Sequence, residues 1–324
     1  MQYTNNSNLS LAVQVFLASD DYDHEPNTIS ATSLMRSARQ HILSKRIPAS
    51  ENFIDISSLV SSRMGTAIHS AIEKAWENPT QALKNLGYPK RVYENIIINP
   101  SEEELSSNPK AIPIYMEQRS YKDIMGFKVS GKFDFIGEGI IQDFKSTSVW
   151  NYLNQTNVSN YQTQLSIYRW LNPELVTKDY GLIHYFFTDW SAAQERTTKG
   201  YPSARVFTQK VPLLTLQETE AYVRSKLADI IKYRDKPESD IPYCTDEDLW
   251  RKDPVWKYYK NPEKTARSTK NFNNKTDALR RFVEDGNVGL VQEVPGQAIR
   301  CKYCPAFAIC TQKDQLITKG ELTL

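Results

Sequence analysis

The chain has 324 residues, 40 Lys or Arg against 38 Asp or Glu, and a formal net charge of +2. So even a balance excludes a broadly basic coat, although a local basic patch can still track phosphates. No window approaches eighteen continuous apolar residues, and the start MQYTNNSNLSLAVQVFLASDD lacks the basic opening and long apolar core of a secretion signal, so a cytoplasmic protein with no membrane span is expected.

Residues 1–28 are polar around one apolar run, LSLAVQVFLA, which predicts a short helix in an N-terminal extension. From Ile29, ISATSLMRSARQHILSKR predicts a strand end or turn leading into an amphipathic helix, with Ser30 or Thr32 as its cap. SSLVSSRMGTAIHSAIEKAWENP predicts a longer helix with Ile68, Ala71, Ile72, Ala75 and Trp76 as its apolar stripe and Pro79 as its stop. Three strand-like runs follow, IPIYMEQRSYKDI, FKVSGKFDFIG and GIIQDFKSTS, punctuated by glycines that suit hairpin turns. SNYQTQLSIYRWLNP predicts a helix stopped at Asn172-Pro173. DYGLIHYFFTDW is nearly all apolar and predicts an interior strand. ARVFTQKVPL predicts a further strand, and LQETEAYVRSKLADIIKYRD an amphipathic helix.

From Pro237 the texture changes to a Trp- and Lys-rich segment that predicts a hairpin and a short helix. Between Arg251 and Asp285 ten Lys or Arg stand against five Asp or Glu, with aromatics among them in VWKYYKNPEKTARSTKNF. Such a stretch can line the path of a single strand; a solvated hairpin is the other reading. The four cysteines, Cys244, Cys301, Cys304 and Cys310, all fall in this last quarter. Clustered cysteines in a reducing compartment suggest a metal rather than disulfides. The organisation expected is an N-terminal extension over 1–28, an α/β core over 29–236, and a C-terminal lobe over 237–324.

The chemistry concentrates in GKFDFIGEGIIQDFKSTS, residues 131–148. In strand geometry Asp143 and Lys145 share a face and Phe144 takes the other. If the strands pair through the turn between them, Asp134 lies beside Asp143. Two carboxylates in a half-buried sheet repel, and a divalent cation with oxygen ligands relieves the repulsion. Taken alone, the pattern also fits a surface Asp–Lys pair of little energetic weight. Two neighbouring helices bear on the choice. Gly65, His69 and Glu73 form one helical stripe, and Tyr161, Gln164 and Tyr168 share a face of another. Each is also compatible with an ordinary polar helix border.

In this order, G-x3-H-x3-E, G-x-F-D, D-F-K-S-T and Q-L-S-I-Y, the sequence resembles the RecB-like branch of the PD-(D/E)XK nuclease superfamily, over about Ile29 to Tyr168. The resemblance implies a restriction-endonuclease-like α/β core, a mixed central sheet flanked by helices. It implies Asp134, Asp143 and Lys145 as catalytic residues. His69, Asp134, Asp143 and the Phe144 carbonyl would hold Mg²⁺ or Mn²⁺. Gln164, Tyr168 and the adjoining Tyr161 would contact nucleic acid. Glu117 stands where related enzymes often carry an acidic residue; a plain strand-surface glutamate is the other reading.

C-x2-C-x5-C at Cys301, Cys304 and Cys310 resembles the C-terminal end of AddB-like and CRISPR-associated iron–sulfur nucleases. Those relatives carry a fourth cysteine near the N-terminus; here Ser37 stands at about that place, leaving Cys244 as the candidate fourth ligand. The resemblance favours a [4Fe–4S] cluster, with Zn²⁺ as the rival, because thiolate count does not separate them. It also extends to bacteriophage nucleases of this type. No G-x4-G-K-[ST] loop occurs, so ATP-driven unwinding is not expected. The expected function is an exonuclease on DNA ends or single strands, in recombination, repair or phage DNA processing. A recombination or single-strand-binding protein would be its partner. The alternative is a silent or partner-dependent DNA-binding subunit.

Overall fold

The computed structural model describes residues 2–19, 25, 27–48 and 53–324. The chain is mixed α/β and divides into two compact units. One comprises Met1–Met35 and Phe53–Ala228, the other Arg36–Asn52 and Asp229–Leu324. The sequence reading placed residues 36–52 in the core; of these, 36–48 pack with the C-terminal segment and 49–52 lie outside the described residues. Ser30 caps a short helix, Ala31–Leu34, and Ser37 caps the next, Ala38–Ser44, so the expected single helix is split at Met35–Arg36. Among the described residues no helix is long and apolar enough to cross a membrane.

The first unit is built on a six-stranded sheet. From edge to edge its strands are Val206–Pro212, Tyr180–Phe187, Ile140–Thr147, Phe135–Gly137, Ile112–Met116 and Ile96–Ile98. Tyr180–Phe187 is interior, as its apolar sequence implies, and runs parallel to Ile140–Thr147. Ile96–Ile98 and the short helices around it were not legible as periodic segments. The helix Leu11–Ala18 forms where the apolar run predicted it. Val60–Trp76 forms the histidine helix, and its capping residue is Glu77, before Pro79. None of its residues is fully buried, and within the stripe only Ile68, Ile72 and Trp76 are half-buried. Trp76 packs edge-on against Phe135 at 5.0 Å, in a cluster with Ile114 and Met116.

Two of the expected strands are each broken in two, and the break makes the site. The ribbon formed by 112–124 and 127–137 leaves the six-stranded sheet partway. It continues in a second sheet, ordered Thr28–Ser30, Phe127–Lys132, Arg119–Ile124. At the crossing Glu117 takes a left-handed backbone with φ 52°, a conformation costing a non-glycine residue on the order of 1–3 kcal/mol. The ribbon is stitched through the bend by Glu117 N–H to the Asp134 carbonyl at 3.2 Å and Phe133 N–H to the Gln118 carbonyl at 3.3 Å. Asp134 sits in this bend.

The turn between Phe135–Gly137 and Ile140–Thr147 has Glu138 at φ 54° and Gly139 at φ 75°, the two positive angles that a two-residue hairpin loop requires. Gly131 meets a different need. A Cβ there would lie 2.6 Å from Leu171 Cδ1 and 2.9 Å from Tyr168 Cδ1. Gly131→Ala is therefore expected to lose about 1–3 kcal/mol by overpacking, read as a lower urea midpoint with unchanged slope.

The second unit carries the helix Ala38–Ser44 and a three-stranded antiparallel sheet of Lys270–Phe272, Val255–Tyr259 and Leu290–Val294. The helix Lys275–Glu284 packs on this sheet. Tyr258 and Tyr259 are 0% and 5% exposed, so these aromatics form the lobe's core rather than a stacking surface. The basic residues Lys260, Lys264, Arg267 and Lys270 are exposed. Two tight turns, Ile299–Tyr303 and Pro305–Ile309, and the helix Thr311–Thr318 end the chain.

Candidate active site

Beyond the Phe135–Gln142 pair the two strands part, and Phe144 loses its backbone neighbour on that side while keeping His184 on the other. Side chains take up the exposed groups. Its N–H donates to Asp134 Oδ2 at 3.0 Å, and its carbonyl oxygen lies 2.8 Å from His69 Nε2. The other ring nitrogen, Nδ1, is 3.4 Å from Asp134 Oδ1. The imidazole is therefore aimed by Asp134 and the Phe144 backbone; Glu73, one turn on, is exposed. A Cβ at Gly65 would meet nothing within 4 Å, which leaves open space one turn before His69.

Asp143 and Lys145 project from the opposite face of Phe144's strand, as alternation requires. Lys145 Nζ lies 2.6 Å from Asp143 Oδ2. Asp143 is buried, and the ammonium is its ion-pair partner. Lys145 Nζ also donates to Gln164 Oε1 at 3.2 Å and lies 5.5 Å from the centre of the Tyr161 ring. Gln164 Nε2 in turn donates to the Tyr168 hydroxyl at 3.0 Å. Both ends of the Gln164 amide are thus engaged, and Tyr168 is 6% exposed. In this geometry the Gln–Tyr pair aims the lysine.

Glu117, which the sequence left open between a site residue and a plain strand-surface glutamate, lies beside the site. One ligand atom from each of His69, Glu117 and Asp134 lies within 4.8 Å of the others. Lys132 holds the Glu117 carboxylate at 2.6 Å. The signal in the sequence was only an acidic residue within one strand-like run; the left-handed bend at it leaves no mark in composition.

The electrostatics follow from burial and pairing. Burial works against a charged His69, but Asp134, aided by the Phe144 carbonyl, outweighs it and raises the imidazole to about 9. Burial likewise opposes the Asp134 carboxylate; His69 and Lys145 prevail and hold it below its ordinary range. At Asp143 burial wins. The carboxyl is pushed up to about 6, with Lys145 opposing the rise and Asp134 adding to it. Burial also disfavours the Lys145 ammonium, but Asp143 and Asp134 keep its pKa above the ordinary value. The partners of this ion pair differ because the carboxylate is 2% exposed and the ammonium 22%. A carboxyl that unfolded would titrate near ~3.9 binds its proton more tightly in the fold. Asp143 therefore destabilises the metal-free protein progressively as pH rises through about 4 to about 6.

All four cysteines lie in the second unit, unpaired and half-buried around one cavity that Arg39, Gln40 and Gln312 also line. Among the described residues no three of their sulfurs lie within 4.8 Å of one another. A single tetrahedral zinc with Zn–S near ~2.3 Å would draw its sulfurs to roughly 3.8 Å. Ser37 Oγ is 3.2 Å from Cys244 Sγ. Burial pushes the Cys244 and Cys301 thiols up to about 11.

No protein-family model matches the chain, and no curated protein matches it. Among solved structures it is similar to the crystal structure of SSO0001, with 18% identity over 72% of this chain and 91% of that one, at a TM-score of 0.40. It is also similar to a phage-related exonuclease from Haemophilus somnus 129PT, with 14% identity over 64% of this chain and 96% of that one, at a TM-score of 0.27. At those scores neither likeness carries a functional conclusion, which rests on the residues of the site.

Proposed function

We propose that the chain is a divalent-metal-dependent DNA nuclease, an exonuclease acting on DNA ends or single strands. The observation that carries this reading is the convergence of His69, Glu117, Asp134 and the Phe144 carbonyl, with the Asp143–Lys145 pair near enough for its charges to bias theirs. The donor set fits Mg²⁺ or Mn²⁺: hard carboxylate and carbonyl oxygens with one imidazole. Glu117 is in reach of the same position. His69 must give up its proton to serve as a ligand.

A divalent ion held there would supply Lewis acidity to a phosphodiester oxygen and lower the pKa of a nearby water. The chain's own contribution is positional. Asp143, Gln164 and Tyr161 fix the Lys145 ammonium, which donates to negative charge as it develops on the phosphoryl oxygens. Asp134 fixes the imidazole and the Phe144 N–H together, so ligand geometry is set before substrate arrives. The exposed Lys260, Lys264, Arg267 and Lys270 offer phosphate contacts in the C-terminal lobe.

For the cysteines, the reading kept is a [4Fe–4S] group held by all four thiolates, with a single Zn²⁺ as the rival. Cys244 completes the set in place of an N-terminal cysteine. The role proposed for the group is structural.

Thermal unfolding with and without Mn²⁺ tests the metal site. Wild-type protein is expected to gain about 2.7 kcal/mol at a hundredfold excess over Kd, seen as a rise in Tm. Asp134→Asn should lose that gain. An equal rise in the variant would show that manganese binds elsewhere.

A further inference from the structure

We infer that Arg39 is the positioning residue of the cysteine site: it donates to the Cys310 sulfur and clamps the segment leading to Cys244 against the residues that follow Cys310. The inference rests on the reading of the four cysteines as holders of an iron–sulfur group.

Arg39 is 1% exposed. A guanidinium that deep is tolerated only when its donors are engaged. Nε points to Cys310 Sγ at 3.3 Å. Nη1 donates to the carbonyls of Ile241 at 3.0 Å and Glu238 at 3.3 Å. Nη2 pairs with the Glu238 carboxylate and reaches Thr311 Oγ1 at 3.4 Å. A neutral thiol is a weak acceptor. A buried cation aimed at one therefore has little use unless the sulfur becomes a thiolate.

The surrounding contacts follow the same plan. Thr311 donates its backbone N–H, at 2.7 Å, and its hydroxyl, at 2.9 Å, to Glu238 Oε1. Gln312 accepts the Cys244 N–H at 2.8 Å and donates to the Cys244 carbonyl at 3.0 Å. Three consecutive residues, 310 to 312, are thus each tied to Arg39 or to the segment 238–244. The separation of Cys310 and Cys244 is fixed by protein contacts alone, as pre-organised ligands require.

An N–H donated to a ligating sulfur withdraws charge from it and raises the reduction potential of the cluster. The test compares anaerobically purified wild type, Arg39→Lys, Arg39→Gln and Glu238→Gln. Iron and sulfide content, visible spectrum, midpoint potential and iron release to a chelator are measured, with Tm as the control for folding. Wild type should carry iron and sulfide. Whichever Arg39 variant folds should show a more negative midpoint and release iron about 10–100-fold faster. Glu238→Gln loosens the clamp but leaves the N–H on sulfur, so release should quicken with the midpoint unchanged. Folded Arg39 variants with the wild-type midpoint and release rate overturn the inference. So does a midpoint shift in Glu238→Gln equal to theirs, since the effect would then be structural. Iron-free wild type sinks the cluster reading itself, and the inference with it.

Discussion

Lys145→Ala is expected to lower DNA cleavage by about 10²–10³-fold in kcat, with DNA affinity and fold largely retained. The ammonium lies against the Asp143 carboxylate, and three partners hold it there: Asp143, Gln164 and the Tyr161 ring. Its contribution falls on the step in which charge builds on the phosphoryl group, so kcat should fall far more than KM rises. The fold survives because Asp143 has an alternative to the ion pair. Its carboxyl already sits at about 6 through burial, and without the lysine it takes up a proton more readily still. Single-turnover cleavage beside a filter-binding isotherm separates the two effects. Equal loss of binding and cleavage would place Lys145 in DNA affinity rather than in the reaction. Gln164→Ala should act in the same direction but more weakly, because Asp143 still holds the lysine.

Cys301→Ser carries the second large effect, on folding. The C-terminal unit has two small apolar clusters. One is Ile42, Leu43, Ile241 and Ala306; the other is Leu249, Ala298, Leu316 and Leu322. Cys304 and Cys310 pack on the first, and Cys244 and Cys301 on the second. Four residues apiece, two of the eight being alanine, are thin apolar packing around the cysteines. A group bound by all four thiolates would join the clusters directly. Structural zinc supplies roughly 10–16 kcal/mol to small metal-dependent folds, and loss of a tetrathiolate group here is expected to unfold the unit. Iron content should fall to background, and limited proteolysis should open the segment 229–324, with cleavage of DNA falling as a consequence. A Cys301→Ser protein with the wild-type Tm and protease pattern would mean that the clusters hold without the group.

How much of this was legible in the sequence depends on the kind of signal. Asp143, Phe144 and Lys145 lie within one strand, where alternation fixes which side chains share a face, and the structure places them so. Gln164 and Tyr168 are four apart on a helix and hydrogen-bond to each other. Such short-range periodicities survive in any fold that keeps the element. Less legible was the chain of hydrogen bonds from Tyr168 through Gln164 to Lys145.

The bend at Glu117 and Asp134 was not legible. Two continuous strand-like runs, 112–124 and 127–137, each cross from one sheet to another, and no proline marks the crossing. Tertiary pairing decides it, with strain held at Glu117. The turn at Glu138-Gly139, by contrast, was announced by its glycine. The split of the unit at Arg36 was missed for a similar reason. Arg39 belongs by sequence to an amphipathic helix near the core's beginning, yet its partners lie about 200 and 270 residues away.

The most direct test of the account is digestion of 5′- and 3′-end-labelled single- and double-stranded DNA by the purified wild-type chain, with Mg²⁺, with Mn²⁺ and with EDTA. Lys145→Ala, purified in parallel, controls for contaminating nucleases. The account predicts progressive shortening from an end with either metal, none in EDTA, and at least a hundredfold slower loss with the variant. Cleavage that persists in EDTA, or that Lys145→Ala retains in full, would contradict the assignment of hydrolysis to His69, Asp134, Asp143 and Lys145.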